Sequence, residues 1–102
     1  MPNPTLVRAV VINNPQGMHM RPAHLFAELA KKYVSQIEII KNGSRIDGKS
    51  VLSILTLCAM NGESISLEAT GPDAEEAVNA LAELVNNGFT FDQGDSNTQK
   101  VE

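Results

Sequence analysis

The sequence lacks most of the features that mark membrane-inserted, secreted or disulfide-stabilised proteins. It contains one cysteine, no tryptophan, three phenylalanines and one tyrosine. No apolar run is long enough to span a bilayer, which predicts no membrane insertion. The N-terminus has no basic start followed by an apolar stretch, so we expect no secretory signal. A single cysteine excludes an internal disulfide framework and favours a reducing cytoplasm.

The size of the chain limits it to one domain. Its 102 residues are enough for a modest core and too few for two. The apolar fraction of 42% is ordinary for a globular protein. Cys58 lies between Leu57 and Ala59. These apolar neighbours predict that Cys58 is a core residue rather than a reactive thiol.

The formal net charge is −4, but the charges are unevenly distributed along the chain. Residues 1–49 contain seven Lys or Arg and three Asp or Glu, whereas residues 50–102 contain one and nine. The acidic total and the scarcity of aromatic side chains argue against a nucleic-acid partner. The basic first half favours acidic protein partners or a phosphoryl group. An uneven but merely solvated surface is the alternative.

The sequence gives no sign of a bound cofactor or metal ion. It has no internal repeat, no nucleotide-binding loop and no cluster with metal-ligand spacing. His19 and His24 are five residues apart, so on a helix they would point in different directions. We therefore predict no cofactor and no metal, and a free-standing enzyme is disfavoured.

The pattern of apolar residues predicts seven elements in the order β-α-β-β-α-β-α. The predicted elements are strand 6–12, helix 20–33, strand 37–40, strand 44–47, a helix after Ser50, strand 64–69 and a helix after Asp73. The turn dipeptide Asn42-Gly43 joins the second and third strands. All seven elements lie within residues 1–89, which form the predicted domain. Residues 90–102 form a polar tail that we predict to be disordered.

The two later helices carry start and stop signals. Ser50 can cap a helix that ends at Asn61-Gly62. Its predicted buried positions are Val51, Ile54, Leu55 and Cys58. Asp73, with Glu76 three residues later, predicts a capping box. Gly88 is a suitable C-terminal stop for the last helix.

The segment Gly17-Met18-His19-Met20-Arg21-Pro22-Ala23 carries the strongest functional signal. Gly17 permits a turn that other residues resist, and Pro22 suits the first turn of a helix. His19 is therefore predicted at a helix N-terminus, where unpaired amides and the macrodipole attract anions. Arg21 adds a guanidinium with several donors. This combination favours a histidine that holds a phosphoryl group, although a histidine near a helix start is more often a cap or a surface residue.

Three blocks of the chain resemble the histidine-containing phosphocarrier proteins called HPr, of the phosphoenolpyruvate-dependent phosphotransferase system. The blocks are residues 17–23, residues 47–55 and residues 68–77, in family order and at family spacing. The likeness runs from about Leu6 to Phe89. It implies an α+β fold, an open-faced β-sandwich. In that fold a four-stranded antiparallel sheet of order 1-4-2-3 carries three helices on one face.

The resemblance also implies a function and a set of partners. His19 would accept a phosphoryl group through Nδ1 from the phosphorylated histidine of Enzyme I, and would pass it to a histidine of an enzyme IIA domain. Arg21 would neutralise charge on the transferring group, and Gly17, Met20 and Pro22 would orient it. The chain would then be a monomeric, cytoplasmic carrier of phosphoryl groups, and not an enzyme.

Partner proteins would dock around His19. The predicted docking residues are Met18, Met20, Lys49, Val51, Leu52 and Leu55. Methionines suit a surface that accepts several partners. On helical spacing Leu52 is the exposed position, whereas Val51 and Leu55 are either docking residues or core.

Ser50 is the second candidate site. In the family this position is the target of an ATP-dependent HPr kinase/phosphorylase in many bacteria, and a phosphate there would repel acidic partners. The alternative is that Ser50 is only an N-cap. A further alternative is a regulatory interaction module that acts through the Ser50 face without phosphoryl transfer. His19 argues against it, since some HPr-like regulators lack the histidine.

A few positions depart from the family pattern. Gln16 stands where many relatives have asparagine, and Met20 replaces threonine or alanine. His24 is not a family signature and is predicted to be a helix surface residue. Residues 68–73 and 87–89 also resemble the nitrogen-related branch of the family, so sugar uptake and nitrogen-branch regulation both stay open.

Overall fold

The computed structural model describes residues 3–89, and they form the seven predicted elements in the predicted order. The elements are β1 (Thr5–Val11), α1 (Met20–Ala30), β2 (Gln36–Lys41), β3 (Ser44–Asp47), α2 (Val51–Thr56), β4 (Ser64–Thr70) and α3 (Ala74–Asn86). The prediction made for residues 90–102 lies outside the described part of the chain.

The four strands form one antiparallel sheet in the order β1-β4-β2-β3, which confirms the expected topology. Leu67 in the middle of β4 pairs with Arg8 of β1 and Ile39 of β2. Along β4 the residues alternate between buried and half-buried, because successive side chains of a strand point to opposite faces. The helices cover the buried face and leave the other face open, as the fold class predicts.

Each helix contributes a fully buried side chain to the core between helices and sheet. Phe26 of α1, Ile54 of α2 and Leu81 of α3 have no solvent exposure. They join Ile37 and Ile39 of β2 in one cluster. The helical spacing of apolar residues in the sequence explains this stripe on each helix.

The helices α1 and α2 both end earlier than predicted. After Ala30 the amides of Lys32 and Tyr33 bond to carbonyls three residues back, at 3.1 Å each, so the chain tightens and leaves the helix. Helix α2 ends at Thr56 because Cys58 adopts a left-handed conformation with φ +51°. The prediction that Cys58 lies in the core is wrong: it is exposed, and Ala59 is buried next to it.

The predicted capping box at α3 is also wrong. Asp73 makes no side-chain bond to its own helix, because its backbone is not extended there (φ −110°, ψ +27°). Its carboxylate instead accepts hydrogen bonds from the amides of Val34 and Ser35, each 3.0 Å long, and from the Ser35 hydroxyl. These bonds, the Ser35 hydroxyl first, lower the pKa of the Asp73 carboxyl. Asp73 therefore joins α3 to the loop between α1 and β2.

Two predicted turns are confirmed. Asn42 and Gly43 have positive φ values of 52° and 85°, as a tight turn between two strands requires. Gly88, at φ +69°, follows the C-cap of α3. In residues 3–89 none of the helices is long and apolar enough to cross a membrane.

Candidate functional site

His19 occupies the N-cap position of α1, where the sequence analysis expected a phosphoryl-accepting histidine. Its backbone is extended (φ −97°, ψ −165°), and its carbonyl accepts the amide of Ala23 at 3.0 Å. The imidazole makes no capping hydrogen bond and is half-buried. No residue in the described part of the chain forms a hydrogen bond with the ring, so both ring nitrogens are available to react.

The loop before His19 is held by short backbone contacts. Gly17 has φ +70°, and a Cβ there would lie 2.6 Å from the carbonyl oxygen of Ala59. The amide of Met18 donates to that same oxygen at 2.8 Å. The side-chain amide of Asn14 donates to the Gly17 carbonyl at 2.6 Å. Only glycine fits this loop, and the loop fixes where His19 lies.

An anion-binding environment surrounds the imidazole. The amides of Met20 and Arg21 lie in the first turn of α1, where the helix supplies no carbonyl partner. Pro22 lacks an amide and is buried, so it fixes the start of the helix without adding a donor. Arg21 is exposed and forms no ion pair with the described residues. These groups can stabilise negative charge next to His19.

An open pocket of about 290 Å³ lies beside His19. It is lined by polar and apolar residues of three segments: Asn14, Pro15, Gln16, His19, Arg21, Pro22, Leu25, Gly88 and Phe89. Gly88 and Phe89, which follow α3, were not predicted from the sequence to lie at this site. Phe89 has φ +68°, and its amide bonds to the carbonyl of Leu84 at 2.8 Å. A glycine after a helix was a signal for the turn, but not for its position beside a histidine 69 residues earlier.

The predicted docking residues do not form one exposed surface. Met18 is only 4% exposed, so its assignment to the docking surface is wrong. Its amide is tied to Ala59, and its side chain belongs to the core. Met20 and Leu52 are 58% and 75% exposed, and both are accessible to a partner.

The remaining docking candidates are partly used inside the protein. Val51 and Leu55 are half-buried and pack against the core, so each still shows part of its side chain to solvent. The ammonium of Lys49 donates to the carbonyl of Tyr33 at 2.8 Å, just beyond the C-terminal end of α1. Lys49 therefore joins the start of α2 to the loop that follows α1.

Ser50 is the N-cap of α2, as predicted. Its hydroxyl oxygen accepts the amide of Ser53 at 3.2 Å. The contact of neighbouring Lys49 places the start of α2 near the end of α1, whereas Ala59, after α2, contacts the loop of His19. Ser50 is therefore at the end of α2 that is farther from His19, and it does not line the His19 pocket.

The positive charge of the first half of the chain is not gathered around His19. Lys41 pairs with Glu63, and Arg45 pairs with Glu38 and Glu68. The Lys41–Glu63 and Arg45–Glu68 pairs thus join the basic and acidic halves of the sequence. Arg21 is the cation that lines the pocket.

His24 is exposed on α1, as predicted, and borders a shallow depression beside His19. The depression is lined by His19, Met20, Arg21, His24 and Leu25. In residues 3–89 no three His, Cys, Asp or Glu side chains are grouped so that they could hold a metal ion.

Comparison with known protein families gives one match over most of the chain. Residues 6–87 match the model of the PTS-HPr family, described as "PTS HPr component phosphorylation site". The match includes His19 and all seven elements apart from Thr5, and it ends just before Gly88 and Phe89 of the pocket.

Two curated relatives have similar identity but different names. The phosphocarrier protein HPr of Cupriavidus necator is 38% identical over 84 residues, which cover 82% of this chain and 94% of the relative. The phosphocarrier protein NPr of Escherichia coli K12 is 38% identical over 90 residues, covering 86% and 99%.

Solved structures share the fold. The crystal structure of HPr-C-His from Thermoanaerobacter tengcongensis has a TM-score of 0.80 at 37% identity, covering 82% of this chain and 94% of that one. A crystal structure of an HPr dimer from the same organism has a TM-score of 0.68 at 38% identity, covering 80% and 94%.

Proposed function

The chain belongs to the PTS-HPr family of phosphocarrier proteins, and from this membership we propose that His19 is its phosphoryl-accepting residue. The donor would be a phosphorylated histidine of Enzyme I, and the acceptor a histidine of an enzyme IIA domain. One observation carries the proposal: an imidazole free of hydrogen bonds stands at a helix N-terminus, beside Arg21, in an open pocket.

The transfer is a displacement at phosphorus. The lone pair of the His19 nitrogen, Nδ1 in the family, forms the new P–N bond while the P–N bond to the donor histidine breaks. The donor imidazole leaves with the electron pair of that bond and takes up a proton. The reverse pattern loads the next histidine, so the carrier is regenerated after each transfer and needs no cofactor of its own.

The surrounding groups have separate roles in this step. The exposed guanidinium of Arg21 neutralises charge on the phosphoryl oxygens, and the first-turn amides of α1 orient them. Gly17 and Pro22 fix the loop and the helix start that bring these groups together. Since the pocket is open, a donor or acceptor histidine can reach His19 from solvent.

The experiment is phosphorylation with phosphoenolpyruvate and Enzyme I. We expect one phosphate per chain, labile in acid and stable in base, as a phosphoramidate bond requires. His19→Ala should abolish it without unfolding the protein. His24→Ala is the matched control, because His24 is an exposed histidine on the same helix, and it should still be phosphorylated. Labelling of His19→Ala at the wild-type level would refute the proposal.

The branch of the phosphotransferase system is tested by the same assay. The chain is equally similar to one HPr and to one NPr, at 38% identity each. Transfer should be compared from the Enzyme I of the sugar branch and from that of the nitrogen branch, under identical conditions. The branch with the higher kcat/KM is the physiological one, and its enzyme IIA is the next acceptor.

We further propose that Ser50 is a regulatory phosphorylation site for an HPr kinase/phosphorylase. Its hydroxyl already accepts the Ser53 amide, and a phosphate oxygen could take over that bond at the helix N-terminus. Exposed Leu52 nearby supports a docking role for the same face. Incubation with the kinase and ATP, followed by mass spectrometry of wild type and Ser50→Ala, decides this. A phosphate that remains in Ser50→Ala would assign the site elsewhere.

The cellular setting follows from the proposed reaction. Phosphoenolpyruvate is a cytoplasmic metabolite, so we propose that the chain acts in the cytoplasm and as a monomer. Light scattering of the purified protein tests the second point against a dimer, the form of one related structure.

A further inference from the structure

Lys41, at the end of β2, is tied to the segment that follows α2. Its ammonium donates to the carbonyl oxygens of Leu57 and Cys58, at 3.0 and 3.2 Å. It also forms an ion pair of 3.0 Å with Glu63, and its side chain is only 14% exposed. One ammonium therefore holds three acceptors that all lie within residues 57–63.

Glu63 closes the same segment from its other end. Its carboxylate accepts the amide of Met60 at 2.7 Å, and its own amide donates to the Met60 carbonyl at 3.0 Å. The hydrogen bond from Met60, together with the bond to Lys41, lowers the pKa of the Glu63 carboxyl. The carboxylate is thus ionised and bound to both the loop and the ammonium at neutral pH.

The segment held by this pair is the one against which the His19 loop is built. The carbonyl oxygen of Ala59, between Cys58 and Met60, accepts the amide of Met18 at 2.8 Å. Gly17 packs so closely on Ala59 and Met60 that a Cβ would meet them within 2.6 and 2.9 Å. The position of Ala59 therefore sets the position of the two residues before His19.

We propose that Lys41 and Glu63 are positioning residues that hold residues 57–63 in place and thereby fix the phosphoryl-accepting imidazole. The proposal rests on the function proposed above for His19. Neither residue lines the His19 pocket, so they act through Ala59 and Met18 and not by contact with the phosphoryl group. Lys41 is the last residue of β2 and Glu63 directly precedes β4, so both residues are anchored by strands of the sheet.

Another ion pair of the protein provides a matched control. Arg45 of β3 pairs with Glu38 and Glu68, and this group lies on the open face of the sheet, away from residues 57–63. Removal of Lys41 deletes one ion pair, with Glu63, and removal of Arg45 deletes two, with Glu38 and Glu68. Removal of Lys41 alone also frees the carbonyls of Leu57 and Cys58.

The first measurement is amide hydrogen exchange of Met18, which reports the bond to Ala59 directly. Lys41→Met and Glu63→Ala should speed this exchange about tenfold relative to the core amides of β4, since a local opening exposes the amide without global unfolding. Arg45→Met should leave it unchanged. Lys41→Arg keeps the charge and several donors, and it should restore most of the protection.

The second measurement is single-turnover transfer from phosphorylated Enzyme I. In Lys41→Met the rate at saturating donor should fall about tenfold with little change in apparent KM. A displacement of about 1 Å can cost ~100-fold in rate, and the loosened loop should displace the imidazole by less than that. Glu63→Ala, a change at a partly exposed residue, provides the same test if Lys41→Met does not fold. Arg45→Met should transfer at the wild-type rate.

The outcomes separate the two proposals. If Met18 exchange and the transfer rate are unchanged in folded Lys41→Met or Glu63→Ala, the positioning role is overturned. Equal losses in Arg45→Met would overturn it as well, because they would show a general effect on stability. If wild type takes no phosphate from Enzyme I, the function proposed for His19 fails. The exchange experiment then still decides whether the pair holds the loop.

Discussion

The side-chain amide of Asn13 donates a hydrogen bond of 2.9 Å to the backbone carbonyl of Asn86. It joins the loop that precedes His19 to the last turn of α3. The chain turns directly after that point, and Gly88 and Phe89 form one wall of the His19 pocket. The pocket thus combines residues 14–25 with the last two described residues, and the hydrogen bond that joins these segments is not predicted by the local sequence.

Gly17→Ala should destabilise the protein and impair transfer. It adds a Cβ at φ +70°, 2.6 Å from the backbone oxygen of Ala59, so backbone must shift. We expect a loss of about 1–3 kcal/mol in the free energy of unfolding, measured with denaturant. Gly43→Ala is the control, since it has φ +85° but nothing within 4 Å. A loss no larger in Gly17→Ala than in Gly43→Ala would show that the close contact with Ala59 does not matter.

Arg21→Gln should slow phosphoryl transfer at saturating Enzyme I. The guanidinium is the cation beside His19, and its removal leaves charge on the phosphoryl group unopposed. A loss of about 100-fold in the transfer rate is expected, with an unchanged melting temperature, since the side chain is exposed. Lys32→Gln removes an exposed cation beyond the other end of α1 and should transfer normally. A wild-type saturating rate for Arg21→Gln would remove its role in the transfer step.

Cys58→Val should destabilise the protein, whereas Cys58→Gly should not. Cys58 has φ +51°, a conformation that costs an L-residue about 1–2 kcal/mol and costs glycine nothing. The glycine variant should therefore unfold at the wild-type temperature or above it. The valine variant should lose more than 1 kcal/mol, roughly, because a β-branched side chain fits this region worst. Thermal unfolding of the three proteins checks this, and a valine variant as stable as the glycine variant would contradict it.

Asp73 should make the stability of the protein sensitive to acid. Its pKa is lowered in the folded state by the hydrogen bonds from Ser35 and Val34. A folded pKa below the unfolded value of 3.8 means that the contribution is complete above that value. The contribution is then lost as the pH falls through the folded pKa.

Denaturant unfolding between about pH 6 and about pH 2 measures this effect. Asp73→Ala should be less stable than wild type near neutral pH, and the difference should shrink in acid. Glu75→Gln is the control, because Glu75 lies in the first turn of the same helix and is exposed without a hydrogen bond to the α1–β2 loop. A constant difference between wild type and Asp73→Ala at every pH would rule out the linkage.

Ser50→Asp should preserve α2 and weaken docking. Aspartate caps a helix as well as serine does, so the melting temperature should stay within a few degrees. A negative charge beside exposed Leu52 should raise the apparent KM for Enzyme I, and added salt should partly relieve it. Ser44→Asp, on exposed β3, is the charge-matched control. Wild-type kinetics for Ser50→Asp would leave Ser50 as a helix cap alone.

The order of the elements was predictable because each has a strong local signal. Alternation marks β4, helical spacing marks α1 and α3, and Asn42-Gly43 marks the hairpin turn. The order of the strands came from family resemblance, since pairing between distant strands leaves no local pattern. Helix ends were predicted less well. Cys58 was placed on the buried stripe of α2 because nothing in its neighbours indicated a left-handed residue that ends the helix.

The residues at the centre of the candidate site were predicted from the sequence, but Gly88 and Phe89 at its border were not. His19, Arg21 and Pro22 lie within four residues, so one local motif specifies their arrangement on α1. Met18 was expected to face partners because methionines suit such surfaces, but its side chain is buried in the core. Asp73 was expected to cap its own helix, but its carboxylate instead accepts a hydrogen bond from Ser35, a buried residue of another loop.

The sequence by itself determined the helix N-terminus that carries His19, the turn at Gly17, and the apolar stripes of the three helices. These depend on backbone preferences and on periodicity, which act over a few residues. Only the tertiary structure decided that Ala59 supports the His19 loop, that Phe89 borders its pocket, and that Lys41 is held by Glu63. Each of those contacts joins segments far apart in the chain, and hydrogen bonds between such segments form only when the sheet and the core bring them together.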